Sequence, residues 1–175
     1  MSNQTALASG VAGASSEPSK YLTFWLGEEL FGMDIRTVRE IIQCGQMTTL
    51  PLMPGFVRGV INLRGAVVPV IDLQARFGRD KATVSKMSCI VIFDAVRGGE
   101  RTELGLLVDS VAEVIKIADD QIEPAPHFGT AVRRDFIAGI GKVGDRFVIL
   151  IEPDRTLDVH EMAGLCELAQ SALET

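Results

Sequence analysis

From Tyr21 to Leu26 the chain alternates. Leu22, Phe24 and Leu26 fall on one side of an extended segment, and Tyr21, Thr23 and Trp25 fall on the other, which is the period of a β-strand. Gly27, Glu28 and Glu29 read as a turn, and "ELFGM" as the returning strand of a hairpin. At "DIRTVREIIQ" the period changes. Ile35, Val38, Ile41 and Ile42 share one helical face behind Asp34 as N-cap, so a short helix is expected. On it Arg36 and Glu40 stand four apart with Arg first, the weaker order for such a pair. The prolines of "TTLPLMPG" rule out its continuation. "VRGVINLRGAVVPVIDL" reads as a second hairpin. In its first strand Arg58, Val60, Asn62 and Arg64 are expected to face outward, and Gly59, Ile61 and Leu63 to face the core. Gly65 supplies the turn. Pro69 has no N–H to give a ladder, which places the return strand at an edge or a bulge.

Further along, "QARFGRDKATVSK" is polar and turn-like, with room for one helical turn. "SCIVIFD" and "TELGLLVD" are strands joined by "AVRGGER"; "VAEVIKI" is strand or turn; "ADDQIEPAPHFG" is a loop. "FIAGIGKVGDRFVILIEP" is a hairpin turned at "VGDR". It aligns without gaps with the earlier hairpin, Phe56 over Phe136 and Gly59 over Gly139, a weak internal echo suggesting two similar small β units. Residues 158–173 read as a helix, with Val159, Met162, Leu165, Cys166, Leu168, Ala169 and Leu173 as its apolar stripe and Asp158 with Glu161 as a capping box. Residues 1–19 are Ser-, Ala- and Gly-rich and read as a flexible tail. Many short strands, glycine turns and two peripheral helices indicate an all-β barrel or sandwich and exclude a βαβ pattern.

The chain has 175 residues, enough for one domain or two small ones. A net charge of −6 and a sequence pI near 4.9 argue against a nucleic-acid partner, which calls for a basic surface. No leader pattern and no long apolar run appears, so a cytoplasmic protein without direct membrane insertion is expected. Cys44, Cys89 and Cys166 are scattered and odd in number, which fits reduced thiols rather than a disulfide framework.

Candidate chemistry is sparse. His127 and His160 have no ligand partners at metal-binding spacing, so neither metal nor cofactor is expected. There is no serine elbow and no phosphate loop. Cys44, at the end of the expected helix, would have a raised thiol pKa, the wrong direction for a nucleophile. Asp72, Asp94, Asp109 and Glu152 each end a strand-like run. A small carboxylate-dependent hydrolase would need Asp72, Asp94 and Asp109 to converge in one pocket. Otherwise the composition favours a binding module that presents arginines on a strand face. A generic SH3-like peptide binder is disfavoured because aromatics make up only 6% of the chain.

Several segments in order resemble the CheW-like family of chemotaxis coupling proteins: "YLTFWLGEELFGMDIRTVREII", "TTLPLMPGFVRGVINLRGAVVPVIDL", "LGLLVDSVAEVIKI", "DDQIEPAP" and "FIAGIGKVGDRFVILIE". The resemblance covers about residues 20–170. It implies a single domain of two closely joined, SH3-like five-stranded β-barrel subdomains, not necessarily contiguous in sequence. It implies no chemistry. The expected role is an adaptor that binds the cytoplasmic tip of methyl-accepting chemoreceptors and the regulatory domain of the histidine kinase CheA, in a flagellar or another chemosensory pathway such as twitching. By the same resemblance, "V-x-E" and "NLRG" assign receptor contact to Val38 and Glu40 and to Asn62, Leu63, Arg64 and Gly65. Ile35 is added as apolar contact, and Val108 and Val111 as a border of the same groove. Glu40 and Arg64 would give charged selectivity or pair with each other. No kinase-binding residues are identified; edge strands are the expected place for them.

Overall fold

The alternation from Tyr21 to Leu26 produces β1 (Ser19–Leu26), which pairs with β2 (Glu29–Asp34) so that Leu22 lies opposite Met33 and Phe24 opposite Phe31. In the computed structural model, which describes residues 18–152 apart from 50, 52, 77–79, 81, 98 and 125–136, these are the first of eleven strands. The others are β3 (Val38–Gln43), β4 (Val57–Leu63), β5 (Ala66–Asp72), β6 (Cys89–Arg97), β7 (Glu100–Val108), β8 (Ser110–Ile117), β9 (Ile122–Glu123), β10 (Ile137–Val143) and β11 (Arg146–Ile151). One helical turn, α1 (Leu73–Arg76), follows β5. The expected helix at 158–173, His127, His160, Cys166 and the tail to residue 17 lie outside the described residues.

The strands make two mixed sheets. One runs β8-β1-β2-β11-β10-β9 and the other β3-β6-β7-β5-β4. Thus the first sheet takes strands from both ends of the chain, and the second takes the middle. Each is built from two antiparallel hairpins joined by a parallel contact, β2 with β11 and β5 with β7. Each also has a small core of its own. Leu30, Ile117, Val148 and Leu150 fill the first, and Val68, Val70, Ala82, Ile90, Ile92 and Leu107 the second. The largest cluster lies between the sheets. It joins Leu22, Phe24 and Phe31 of one to Val91, Phe93, Leu104 and Leu106 of the other. At roughly 2 kcal/mol per fully buried large side chain, this shared layer is the dominant favourable term holding the sheets together. Both faces of β1 are therefore covered. Leu22, Phe24 and Leu26 enter the shared layer, while Tyr21 and Trp25 pack against the first sheet's own core. Thr23, fully buried, donates to the Glu113 carbonyl (2.6 Å) and accepts from the Glu113 N–H (3.1 Å), which satisfies the backbone where the β1–β8 register shifts.

Three expectations are corrected. Residues 35–43 are not a helix. A single 3-10 turn at Ile35–Thr37 is capped by the Asp34 carboxylate on the Arg36 N–H, and the chain then becomes β3. Val38, Ile41 and Ile42 are β-branched, and β6 offers them a ladder, with Ile41 opposite Val91 and Ile42 opposite Ile90. Pro69 is not at an edge, since β5 lies between β4 and β7. Its ladder partner Val60 sends both backbone groups to Thr48 instead, and pairing with β7 begins only at Val70, so no donor is missed at Pro69. Finally, Val60 does not face outward. It is buried against Met53 and Val67 beneath the segment leading into β4.

Candidate docking surface

β4 and β5 are joined by two residues, Arg64 and Gly65, with φ of 52° and 87°. Two consecutive positive φ values are the pattern of the turn that best matches strand twist. Asn62 reinforces it, its side-chain oxygen accepting from the Gly65 N–H at 3.0 Å. Glycine or asparagine would suit the first turn position. Arginine there carries the steric cost of the left-handed region, and no other non-glycine among the described residues has positive φ. An outlier of this kind points to something the side chain does. The Arg64 guanidinium lies 2.6 Å from a Glu40 carboxylate oxygen, both in contact with solvent. Hydrogen bonding from Arg64 holds the Glu40 carboxyl below the usual range, and Glu40 in turn raises Arg64.

This pair bridges the two outer strands of the five-stranded sheet. β3 carries Glu40, and the β4 turn carries Arg64. The same two edges meet again where Thr48, in the chain leaving β3, exchanges two 2.9 Å hydrogen bonds with Val60. Gly59 permits that approach, since a Cβ there would stand 2.7 Å from the Thr48 carbonyl oxygen.

Glu40, Asn62, Leu63, Arg64 and Gly65 are thus gathered along one seam. Leu63 is half-buried against the second sheet's core. Ile35 and Val38 are half-buried and lean on the shared layer. Val111 leans on that layer too, from β8. Val108 has no exposed surface and pairs with Cys89 opposite Gln43, at the far end of β3 from Val38. Sequence reasoning passed over two exposed apolar side chains, Ile41 on β3 and Val114 on β8. Reading 38–43 with period two would have shown Ile41, which is exposed and alternates with the half-buried Val38, Glu40 and Ile42.

Arg58 is the second correction to the outward face. It turns inward to Asp72, whose side chain is fully buried, at 3.1 Å. The same guanidinium nitrogen donates to the Ala82 carbonyl at 2.7 Å. Asp72 also accepts from the N–H groups of Ala82 (2.9 Å) and Ala75 (3.2 Å).

The strand-end carboxylates do not converge. Asp72 is occupied as described. Asp94 takes Arg39 and Arg101, and Asp109 takes the Gly27 N–H and Gln74. Of the three, only Asp94 lines the cleft of about 340 Å³ at the junction of the sheets, beside Tyr21, Asp34, Phe93, Ile151 and Glu152. Within it Arg36 holds Asp34 below the usual carboxylate range, chiefly by hydrogen bonding, and burial followed by the Asp34 charge raises Tyr21. Among the described residues no three His, Cys, Asp or Glu side chains are grouped to hold a metal ion. Nor is any helix among them long and apolar enough to cross a membrane.

Comparison with known proteins agrees with this architecture. The family model of the CheW-like domain matches residues 20–161. The chain is 34% identical over 152 residues to a chemotaxis protein CheW of Klebsiella aerogenes, covering 87% of this chain and 89% of that one. It is 37% identical over 131 residues to a probable chemotaxis protein CheW of Rhizobium etli, covering 75% and 82%. The crystal structure of the scaffolding protein TtCheW from Thermoanaerobacter tengcongensis superposes with a TM-score of 0.72 at 41% identity, covering 82% of this chain and 90% of that one.

Proposed function

The chain belongs to the CheW-like domain family and is a non-enzymatic adaptor of chemotaxis signalling; from that premise we propose that it joins methyl-accepting chemoreceptors to the histidine kinase CheA from the cytoplasm, as part of a receptor array. Its two sheets are read as the family's two SH3-like barrels. The receptor tip docks along the β3–β4 seam. Ile35, Val38 and Leu63 offer apolar contact, Val111 borders the groove from β8, and Glu40 with Arg64 selects the partner by charge. Val108 supports that border from beneath.

The observation that carries this reading is Arg64, kept in a left-handed turn position and paired with Glu40 on an exposed seam. Calorimetric titration with a soluble receptor-tip fragment and, separately, with the kinase regulatory domain tests it. Wild type should bind both. Arg64→Ala should weaken the receptor arm about tenfold, a usual loss for an interface arginine, and leave the kinase arm and the thermal midpoint nearly unchanged. Binding to neither fragment would sink the reading.

A further inference from the structure

We propose that the buried Arg58–Asp72 pair positions the exposed Glu40–Arg64 pair, by fixing how far apart the two edges of the five-stranded sheet stand. The inference rests on the docking surface just described and assigns it two residues that never touch a partner.

The path is continuous. Arg58 and Arg64 lie on one hairpin, roughly 20 Å apart along an extended strand. Arg58 and Asp72 bracket a single residue, Ala82, holding its carbonyl and its N–H from opposite sides. Ala82 leads, through Thr83 and Val84, into a turn at Ser85–Ser88 that is tied internally. The Ser85 N–H donates to the Ser88 hydroxyl at 2.8 Å, the Met87 N–H to the Ser85 hydroxyl at 3.1 Å, and the Ser88 N–H to the Ser85 carbonyl at 3.2 Å. This turn grips the end of β3. Cys44 N–H donates to the Ser88 carbonyl at 3.0 Å, and the Gln43 side chain donates to the Lys86 carbonyl at 3.4 Å. β3 then leads back to Glu40. The two edge strands are therefore tied at three places: the buried pair with its turn, the Thr48–Val60 bridge, and the Glu40–Arg64 contact. At the first, Asp72 is fully buried and Arg58 mostly so, while the last is open to solvent. If the shielded tie sets the spacing, the open pair is pre-formed before a partner arrives, and less ordering is lost on binding.

Spatial continuity alone does not establish coupling; a double-mutant cycle measures it. Arg58→Met keeps an unbranched apolar stem, two heavy atoms shorter, and removes the charge and both hydrogen bonds. Arg58→Lys keeps a nitrogen able to reach both Asp72 and Ala82. With the receptor-tip fragment, Arg58→Met should weaken binding about tenfold, and Arg58→Lys should restore most of it. In a Glu40→Gln background Arg58→Met should cost less than about twofold, because nothing remains to be positioned. Equal losses in both backgrounds, or no loss in a folded Arg58→Met protein, would overturn the proposal. A partner-free arm separates it from the docking reading. Carboxyl NMR titration of Glu40 should show its midpoint rising in Arg58→Met as the Arg64 contact loosens. If the wild type binds no receptor fragment, the docking reading falls and this arm still decides: a moved Glu40 midpoint supports the coupling, and an unmoved one refutes it.

Discussion

The β4–β5 hairpin sets Gly59 opposite Val70, Val60 opposite Pro69 and Leu63 opposite Ala66; the β10–β11 hairpin sets Gly139 opposite Leu150, Ile140 opposite Ile149 and Val143 opposite Arg146. Both shift register one step earlier, between Val57 and Gly59 and between Ile137 and Gly139. Both lie beside a parallel third strand, at Val70 with Gly105 and at Leu150 with Gly32. The strand pairings coincide; the turns differ at their second position, where Gly65 has a φ of 87° and Asp145 has no positive φ, and the charges differ too. Where β4 carries Arg58, β10 carries the exposed Ala138, and where the first turn carries Arg64, the second carries Gly144 at a comparable φ of 62°. The pattern of apolar residues and glycines is enough to build the hairpin. Two arginines with acidic partners tie one copy, one of them through the fully buried Asp72; the other copy keeps the strand pairing and carries only the longer, exposed pairs Lys142–Glu123 and Arg146–Glu113, each at 3.7 Å.

The largest break in this comparison should come from Asp72. Asp72→Asn leaves Arg58 without its anionic partner and sets an amide against backbone donors at a position that is fully buried. Losing one member of a buried pair typically costs about 3 kcal/mol, readable as a lower urea midpoint at unchanged slope. An unchanged midpoint would mean that the pair contributes nothing net.

The equivalent glycines come next. A Cβ at Gly59 would meet the Thr48 carbonyl oxygen at 2.7 Å. At Gly139 the nearest atom, also at 2.7 Å, is the Cγ2 methyl of Ile122, a side-chain atom on the two-residue edge strand β9, with the Glu123 carbonyl at 3.1 Å. Gly59→Ala should therefore destabilise by about 2 kcal/mol, near the middle of the range for overpacking, and Gly139→Ala by less. Equal effects in thermal unfolding would remove the distinction between the hairpins. Gly59→Ala should also speed amide exchange at Thr48 and Val60, whose mutual hydrogen bonds it strains.

Arg64→Gly gives the first turn the residue that leads the second, Gly144. It relieves the left-handed strain, so the thermal midpoint should hold or rise while receptor-fragment binding falls. A midpoint that drops sharply would make Arg64 a structural residue. Gain of stability with loss of function is what a residue kept for contact produces.

The smallest effect is electrostatic. The Glu40 carboxyl is held low by Arg64, so its contribution to stability is present above the ordinary glutamate range and fades as the pH falls through the lowered folded value. Because the pair is solvent-facing, the change in stability should be slight and should shrink with added salt. Carboxyl NMR should place the Glu40 midpoint below that of a free glutamate in wild type and return it towards normal in Arg64→Ala.

Alternation together with glycine turn signals determined the hairpins β1–β2, β4–β5 and β10–β11 and the turns at Gly65 and at "VGDR". Each depends on neighbours a few residues apart. The family resemblance added the pairing of Glu40 with Arg64 as one of two possibilities. Other features needed the folded chain. Residues 38–43 carry a pattern that satisfies both a helix and a strand, and the ladder offered by β6 chose the strand. Val60 alternates onto one strand face with Asn62, and Arg58 sits at the register shift before Gly59; only the segment crossing over β4 and the chain at Ala82 decide that Val60 and Arg58 are covered and Asn62 is open. Asp72 meets a partner fourteen positions away and Glu40 one twenty-four away. Periodicity reports which residues prefer burial. Which charge is buried beside which depends on how the two edges of a sheet come together, and no local window of sequence contains that.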